Sequence, residues 1–167
     1  MGLLSLDDIS DYKKVYGPYG TVQDMEHLIK EAHSRGLRVI LDLVVNHTSD
    51  QHHWFQESRS SKDNPKRDWY IWKPAKYDAD GTRRPPNNWR SNFGGSVWEW
   101  DEHTQEYYLH LFCPEQPDVN WDNLELRRAI YDEAMIFWRK SVRATEACQS
   151  CAPTNFLQLR RASMASG

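Results

Sequence analysis

Between residues 21 and 45 the spacing of apolar side chains changes period, and the change marks two elements. Val22, Met25, Leu28, Ile29 and Ala32 recur at three- and four-residue steps, which predicts one face of a helix. Thr21 followed by Asp24 makes a capping-box pair at its start, and Gly36 supplies the residue expected just past its end. Leu37, Val39, Ile40, Leu41, Leu43, Val44 and Val45 then follow almost without interruption. The run is rich in β-branched residues, which predicts a strand buried on both faces of a parallel sheet. Helix, glycine and buried strand make one step of an α/β fold. Asp42 breaks the run, and a carboxylate there is costly unless a cation or several donors meet it. It is read either as half of a structural ion pair or as a group near a site.

From residue 49 to about 117 no helical period is sustained. The stretch is polar, aromatic and proline-bearing, and it is too long for a plain loop. Residues 96–100 and 106–112 alternate as a hairpin around 101–105, so the stretch is read as a small inserted subdomain containing β structure. Helical spacing returns after Asp122 and Asn123, either of which can cap, with Leu126, Ile130, Ala134, Phe137 and Trp138 along one side. Beyond Lys140 the pattern fails. Residues 141–167 carry only the short apolar cluster Phe156, Leu157 and Leu159, and poor order is expected there.

Length and composition narrow the function classes. The 167 residues suffice for one domain but fall short of the roughly 250 of a closed (β/α)8 barrel. A net charge of -3 leaves no basic footprint for nucleic acid or an anionic membrane surface. No apolar run reaches the roughly 18 residues of a bilayer span. The chain carries eight Trp and eight Tyr, and much of this aromatic share lies between Trp54 and Trp121. Flat rings suit the C–H faces of sugars, and they equally suit the core of a loop-rich subdomain. Cys148 and Cys151 form a single CxxC without a second pair, so neither a metal nor a cofactor is expected. Residues 1–6 are too short for a signal peptide, and a cytoplasmic location is expected.

The string DLVVNHTSD, residues 42–50, stands at the C-terminal end of the predicted strand, where α/β barrels gather their sites. Asn46 and His47 are thus placed toward a ligand, and a neutral imidazole can donate to or accept from a sugar hydroxyl. This string resembles the first signature region of the α-amylase superfamily (glycoside hydrolase family 13). QPDVN, residues 116–120, resembles the QPDLN signature of its oligo-1,6-glucosidase subfamily. ESRSSKDNPKRDWYIW (57–72), PPNNW (85–89), FGGSVWEWD (93–101) and EYYLHLF (106–112) are similar to the second domain of maltases. The likeness runs from about Asp8 to Lys140.

The resemblance implies an α/β chain that is a fragment of a (β/α)8 TIM barrel with an inserted small α+β subdomain. Residues 1–48 would be partial catalytic barrel (a helix, then the third strand), 49–119 the inserted domain B, 120–140 a barrel helix and 141–167 an unmatched tail. It implies a retaining exo-α-glucosidase acting on α-1,4 or α-1,6 bonds of maltose, isomaltose or sucrose-like oligosaccharides. By resemblance, His47 contacts glucose in the buried subsite and Asp42 braces the arginine beside the nucleophile. Phe93 and Phe112 line the pocket mouth against the second sugar. Asn46 and Asp118 occupy positions that ligate calcium in α-amylases and that α-glucosidases usually leave empty, so no metal is expected. No nucleic acid, membrane or obligate protein partner is expected either.

The chain also departs from the pattern. Retaining hydrolysis needs two carboxyl groups about 5 to 5.5 Å apart. In the family the nucleophile follows the helix ending near Trp138 and Arg139, in a segment resembling GVDGFRMD. Here Ser141, Val142, Arg143, Ala144, Thr145 and Glu146 stand instead, and Glu146 has no matching context. The acid/base glutamate and transition-state aspartate have no counterpart, so no catalytic residue is assigned. Leu4 and Asp7 stand where the family carries a sugar-holding Asp and Tyr, and Asn92 where many relatives carry a ring. Such abrupt losses at both ends are expected of a truncated or frameshifted reading frame. The isolated chain is therefore expected to be inactive and marginally stable, with its apolar strand left with unpaired edges. Within the subfamily, a sucrose-processing glucosyltransferase or a trehalose-6-phosphate hydrolase is an alternative. Outside it stand the non-catalytic heavy subunit of amino-acid transporters and a carbohydrate-binding fragment using Trp69, Tyr70, Trp72 and Trp89.

Overall fold

The computed structural model describes residues 8–136. Helix α1, Val22–Ser34, begins as the sequence predicts: the Thr21 hydroxyl accepts from Asp24 N–H at 3.2 Å, and the Asp24 carboxylate accepts from Thr21 N–H at 2.7 Å. It ends on a Schellman turn, with Gly36 at φ 71°, Gly36 N–H donating to His33 O at 3.0 Å and Leu37 N–H donating to Ala32 O at 2.9 Å. Of its apolar face only Ile29 is buried.

The following run is not a strand. Residues 37–45 pair with no neighbour among the described residues, and Leu37, Ile40, Leu41 and Leu43 are exposed, Ile40 at 93%. This corrects the expectation of a buried strand. A parallel strand takes its hydrogen bonds and both covered faces from flanking strands, and an apolar period without those neighbours does not create one. The described residues accordingly form a mixture of helices and small antiparallel sheets with no closed barrel. The end of the run is tied down, where the Tyr12 hydroxyl donates to Val44 O at 3.0 Å and Trp121 Nε1–H donates to Val45 O at 3.1 Å.

The core lies further along the chain. Helix α2, His53–Ser60, is capped by His52, whose Nδ1 accepts from Trp54 N–H at 3.1 Å. It contributes Trp54 and Phe55, both 1% exposed, to a cluster with Tyr12, Trp69, Tyr70, Tyr108, Val119, Leu126 and Ile130. Trp54 packs edge-on against Trp69 at 5.1 Å, and Phe55 likewise against Tyr70 and Tyr108 at 5.0 and 5.1 Å. Edge-to-face rings at such spacings add to what burial alone contributes.

Strands β1 (Trp72–Lys73), β4 (Trp98–Asp101) and β5 (Glu106–Leu109) form an antiparallel sheet ordered β1-β5-β4. The predicted hairpin is therefore present, with shorter strands. At its tip the buried Asp101 accepts from Thr104 N–H at 2.9 Å, from the Thr104 hydroxyl at 2.6 Å and from Arg59 Nε–H at 2.6 Å. Burial alone would raise the Asp101 pKa, but these donors outweigh it and hold the carboxyl below its ordinary value. Beside the tip, buried Arg67 donates to Ser58 O at 3.0 Å and to Glu106 at 2.6 Å, and lies 3.5 Å over the Trp72 ring. A second, exposed hairpin of β2 (Lys76–Tyr77) and β3 (Arg83–Arg84) had no clear apolar alternation to announce it.

Helix α3, Leu124–Ile130, starts at Asn123, whose side chain accepts from Leu126 N–H at 3.0 Å, and widens to a π turn over Tyr131–Ile136. Leu126, Ile130 and Ala134 are buried along one side, as their spacing predicts. Phe137, Trp138, residues 1–7 and the tail 141–167 lie outside the described residues.

Candidate functional site

Two sequence strings meet here. His47 and Asp118 form an antiparallel bridge, Val119 N–H donates to Asn46 O at 3.1 Å, Thr48 N–H to Pro117 O at 3.2 Å, and Asp50 N–H to Glu115 O at 2.8 Å. The pair is held on both sides: Ser49 N–H donates to Ile9 O at 2.9 Å, and Asp118 N–H to Leu109 O, at the end of β5, at 2.9 Å. Inside, the Thr48 and Tyr70 hydroxyls share a hydrogen bond of 2.7 Å. His47 is thus mounted on backbone anchored to the aromatic core.

From His47 a row of rings runs outward. Its imidazole, in a residue 5% exposed, lies 5.4 Å from the Phe112 ring, and Phe112 lies 5.9 Å from Phe93. Phe93 is 74% exposed, on a turn that Gly94 and Gly95 close with φ of 93° and 78°. Three of the four residues singled out from sequence are therefore brought together. Asp42 is not. It is exposed rather than buried, because the strand expected to enclose it does not form here.

One tie beside this row is not announced by the sequence. Gln116 Nε2–H donates to the Asp8 carboxylate at 2.8 Å, tying the start of QPDVN to residues just ahead of the core. Burial raises the Asp8 pKa above its ordinary value, against the lowering pull of the Gln116 hydrogen bond and of nearby His47. The QPDVN string marked the place, but nothing in it announced a partner so distant in sequence. Asp118 is fully buried, and its carboxylate accepts from Leu111 N–H at 2.6 Å. Among the described residues no three His, Cys, Asp or Glu side chains converge as a metal ion would need. A cavity of about 400 Å³ lies elsewhere, against α3, lined by Trp121, Leu124, Tyr131 and Met135 among others.

The link from the site to α2 favours a neutral imidazole. Burial, and secondarily His53, push the His52 pKa down to about 4, against the opposing pull of Asp11. The neutral ring is the form whose Nδ1 can accept from Trp54 N–H.

The family profile described as "Alpha amylase, catalytic domain" matches residues 7–144. This chain belongs to the α-amylase family. Among curated members it is 64% identical over 131 residues to an α-glucosidase of Candida albicans, covering 78% of this chain and 23% of that one. It is 58% identical over 132 residues to an oligo-1,6-glucosidase of Saccharomyces cerevisiae, covering 78% and 23%. Among solved structures, an isomaltulose synthase mutant of Erwinia rhapontici in complex with sucrose superposes with a TM-score of 0.75 at 47% identity, covering 81% of this chain and 23% of that one. The chain thus spans less than a quarter of the length of these α-amylase family relatives. No helix among the described residues is long and apolar enough to cross a membrane.

Proposed function

We propose that this chain is the glucose-holding part of a retaining exo-α-glucosidase that cleaves α-1,4 or α-1,6 bonds of maltose- or isomaltose-type oligosaccharides in the cytoplasm. The observation that carries the reading is the row His47, Phe112, Phe93, mounted on the paired NHTSD and QPDVN segments. A hexose offers hydroxyls at its rim and C–H groups on its faces. An imidazole answers the first and phenyl rings the second. On this reading His47 meets the terminal glucose, while Phe112 and Phe93 meet the second sugar. Asp42 braces an arginine of the catalytic machinery when residues 37–45 are paired as a barrel strand. Residues 49–119 act as the inserted domain, and 1–48 and 120–140 belong to the barrel. The relatives named α-glucosidase and oligo-1,6-glucosidase support this, and the sucrose held by the Erwinia enzyme fits a small neutral sugar. The sequence holds no GFRMD-like string, so bond cleavage is assigned to none of its residues, and the 167 residues alone turn over nothing.

The test exchanges residues 8–136 for the matching segment of the Candida α-glucosidase. The exchanged enzyme should release glucose from maltose, and His47→Ala within it should lower kcat/KM by about 10- to 100-fold, the cost of losing a buried hydrogen bond to substrate. A folded exchanged enzyme indifferent to His47→Ala contradicts the reading. So does maltose hydrolysis by the unaltered 167-residue chain.

A further inference from the structure

We infer that Ser91 is a positioning residue that sets the gap between Phe93 and Phe112, and so the affinity for a second sugar ring as opposed to a single glucose. The inference rests on the proposed sugar site. The Ser91 hydroxyl donates to Phe112 O at 2.6 Å, with Leu111 O further off at 3.3 Å, and accepts from Phe93 N–H at 3.2 Å. One oxygen therefore ties together the backbones that carry the two outer rings. Ser91 is 8% exposed, so water does not readily replace it in either bond.

The turn itself does not depend on this hydroxyl. Ser91 N–H donates to Gly95 O at 3.1 Å, Gly94 N–H to Ser91 O at 3.0 Å, and Asn92 N–H to Leu111 O at 2.9 Å, all through the backbone. Removing the side-chain oxygen leaves the turn closed and the Asn92–Leu111 bond in place, but it removes the two bonds that fall on the Phe93 N–H and the Phe112 carbonyl themselves. Position 92 is Asn, so Phe93 is the single ring of the 91–95 turn, and its placement has no aromatic neighbour within the turn to fall back on. His47, at the inner end of the row, is held instead by the bridge to Asp118. Loss of the Ser91 hydroxyl thus acts first on the two outer rings, whose backbones it joins, while the backbone mount of His47 is untouched.

The experiment titrates the full chain with D-glucose and, separately, with maltose, reading heat and amide shifts. Ser91→Ala should weaken maltose about tenfold, change glucose affinity by less than about twofold, and speed exchange of the Phe93 amide. Ser91→Thr, which keeps the hydroxyl, should bring maltose back to within about threefold of the parent. Ser91→Cys keeps the shape with a slightly larger atom but is a weak donor and acceptor, so it should reproduce the selective loss if Ser91→Ala does not fold. Equal losses on both sugars, or none on maltose, overturn the inference while leaving the sugar site standing. A parent chain that binds neither sugar overturns the site and this inference with it.

Discussion

Trp54, Phe55, Tyr70 and Leu109 are shut away from solvent, whereas Leu37, Ile40, Leu41 and Leu43, no less apolar, face it. The two regions differ in where their partners are. In the aromatic region the partners lie within the same stretch of chain or close to its ends: β5 lies between β1 and β4, α2 packs on the sheet, and Leu126 and Ile130 of α3 join the same cluster. In the region from α1 to Val45 the pattern calls for flanking parallel strands, and none of the described residues supplies one. Apolar periodicity states what a segment can bury, and a facing surface decides whether it does.

The contrast can be broken most forcefully by large-to-small substitution in each region. Trp54→Ala should cost about 3 to 5 kcal/mol, since its ring packs on Tyr12, His52 and Trp69. Ile40→Ala should change stability by less than about 0.5 kcal/mol. Denaturant titration of both variants checks the pair, and comparable losses would mean that the apolar run is packed after all.

A pH titration sharpens the comparison next. His52 titrates at about 4 in the folded chain against an ordinary 6.5, so the folded state binds fewer protons than the unfolded state between these values. Stability from this group is full above pH 6.5 and is lost as pH falls toward and through 4, by about 3 kcal/mol in all. His52→Asn retains a capping acceptor without a titrating ring and should flatten that part of the acid profile. The effect belongs to the aromatic region, where Tyr12, His53 and Trp54 surround the imidazole. A profile unchanged by the substitution would remove His52 from the account.

The smallest effect is expected from Ile40→Lys. It should leave stability within about 0.5 kcal/mol and raise the concentration at which the chain aggregates, because it places a charge within an exposed apolar run. Light scattering against concentration reads it, and an unchanged threshold would point to aggregation through another surface.

What the residues made legible was chiefly local. The capping box at Thr21 and Asp24 and the glycine stop at Gly36 are fixed by neighbours within a few positions and stand as expected, and of the two candidates Asp122 and Asn123 it is Asn123 that caps α3. His47, Phe93 and Phe112 were singled out through strings that resemble a family, and the structure sets them in one row. Less legible was anything set by distant contacts. The strand at 37–45 rests on a β-branched apolar run and on the family resemblance, neither of which supplies the flanking strands, and the burial expected of Asp42 fails with it. The Asp8–Gln116 tie and the Ser91 cross-tie join segments whose proximity no local spacing encodes.

Amide hydrogen exchange tests most directly the claim that His47 is mounted on backbone anchored to the aromatic core. Thr48, Asp50, Asp118 and Val119 donate to Pro117, Glu115, Leu109 and Asn46. Their exchange should be slowed about a hundredfold or more relative to residues 38–43, and should track that of Tyr107 and Leu109 in β5. If Thr48 and Val119 exchange as fast as residues 38–43, the two strings are not held together in this chain and the proposed site has no foundation.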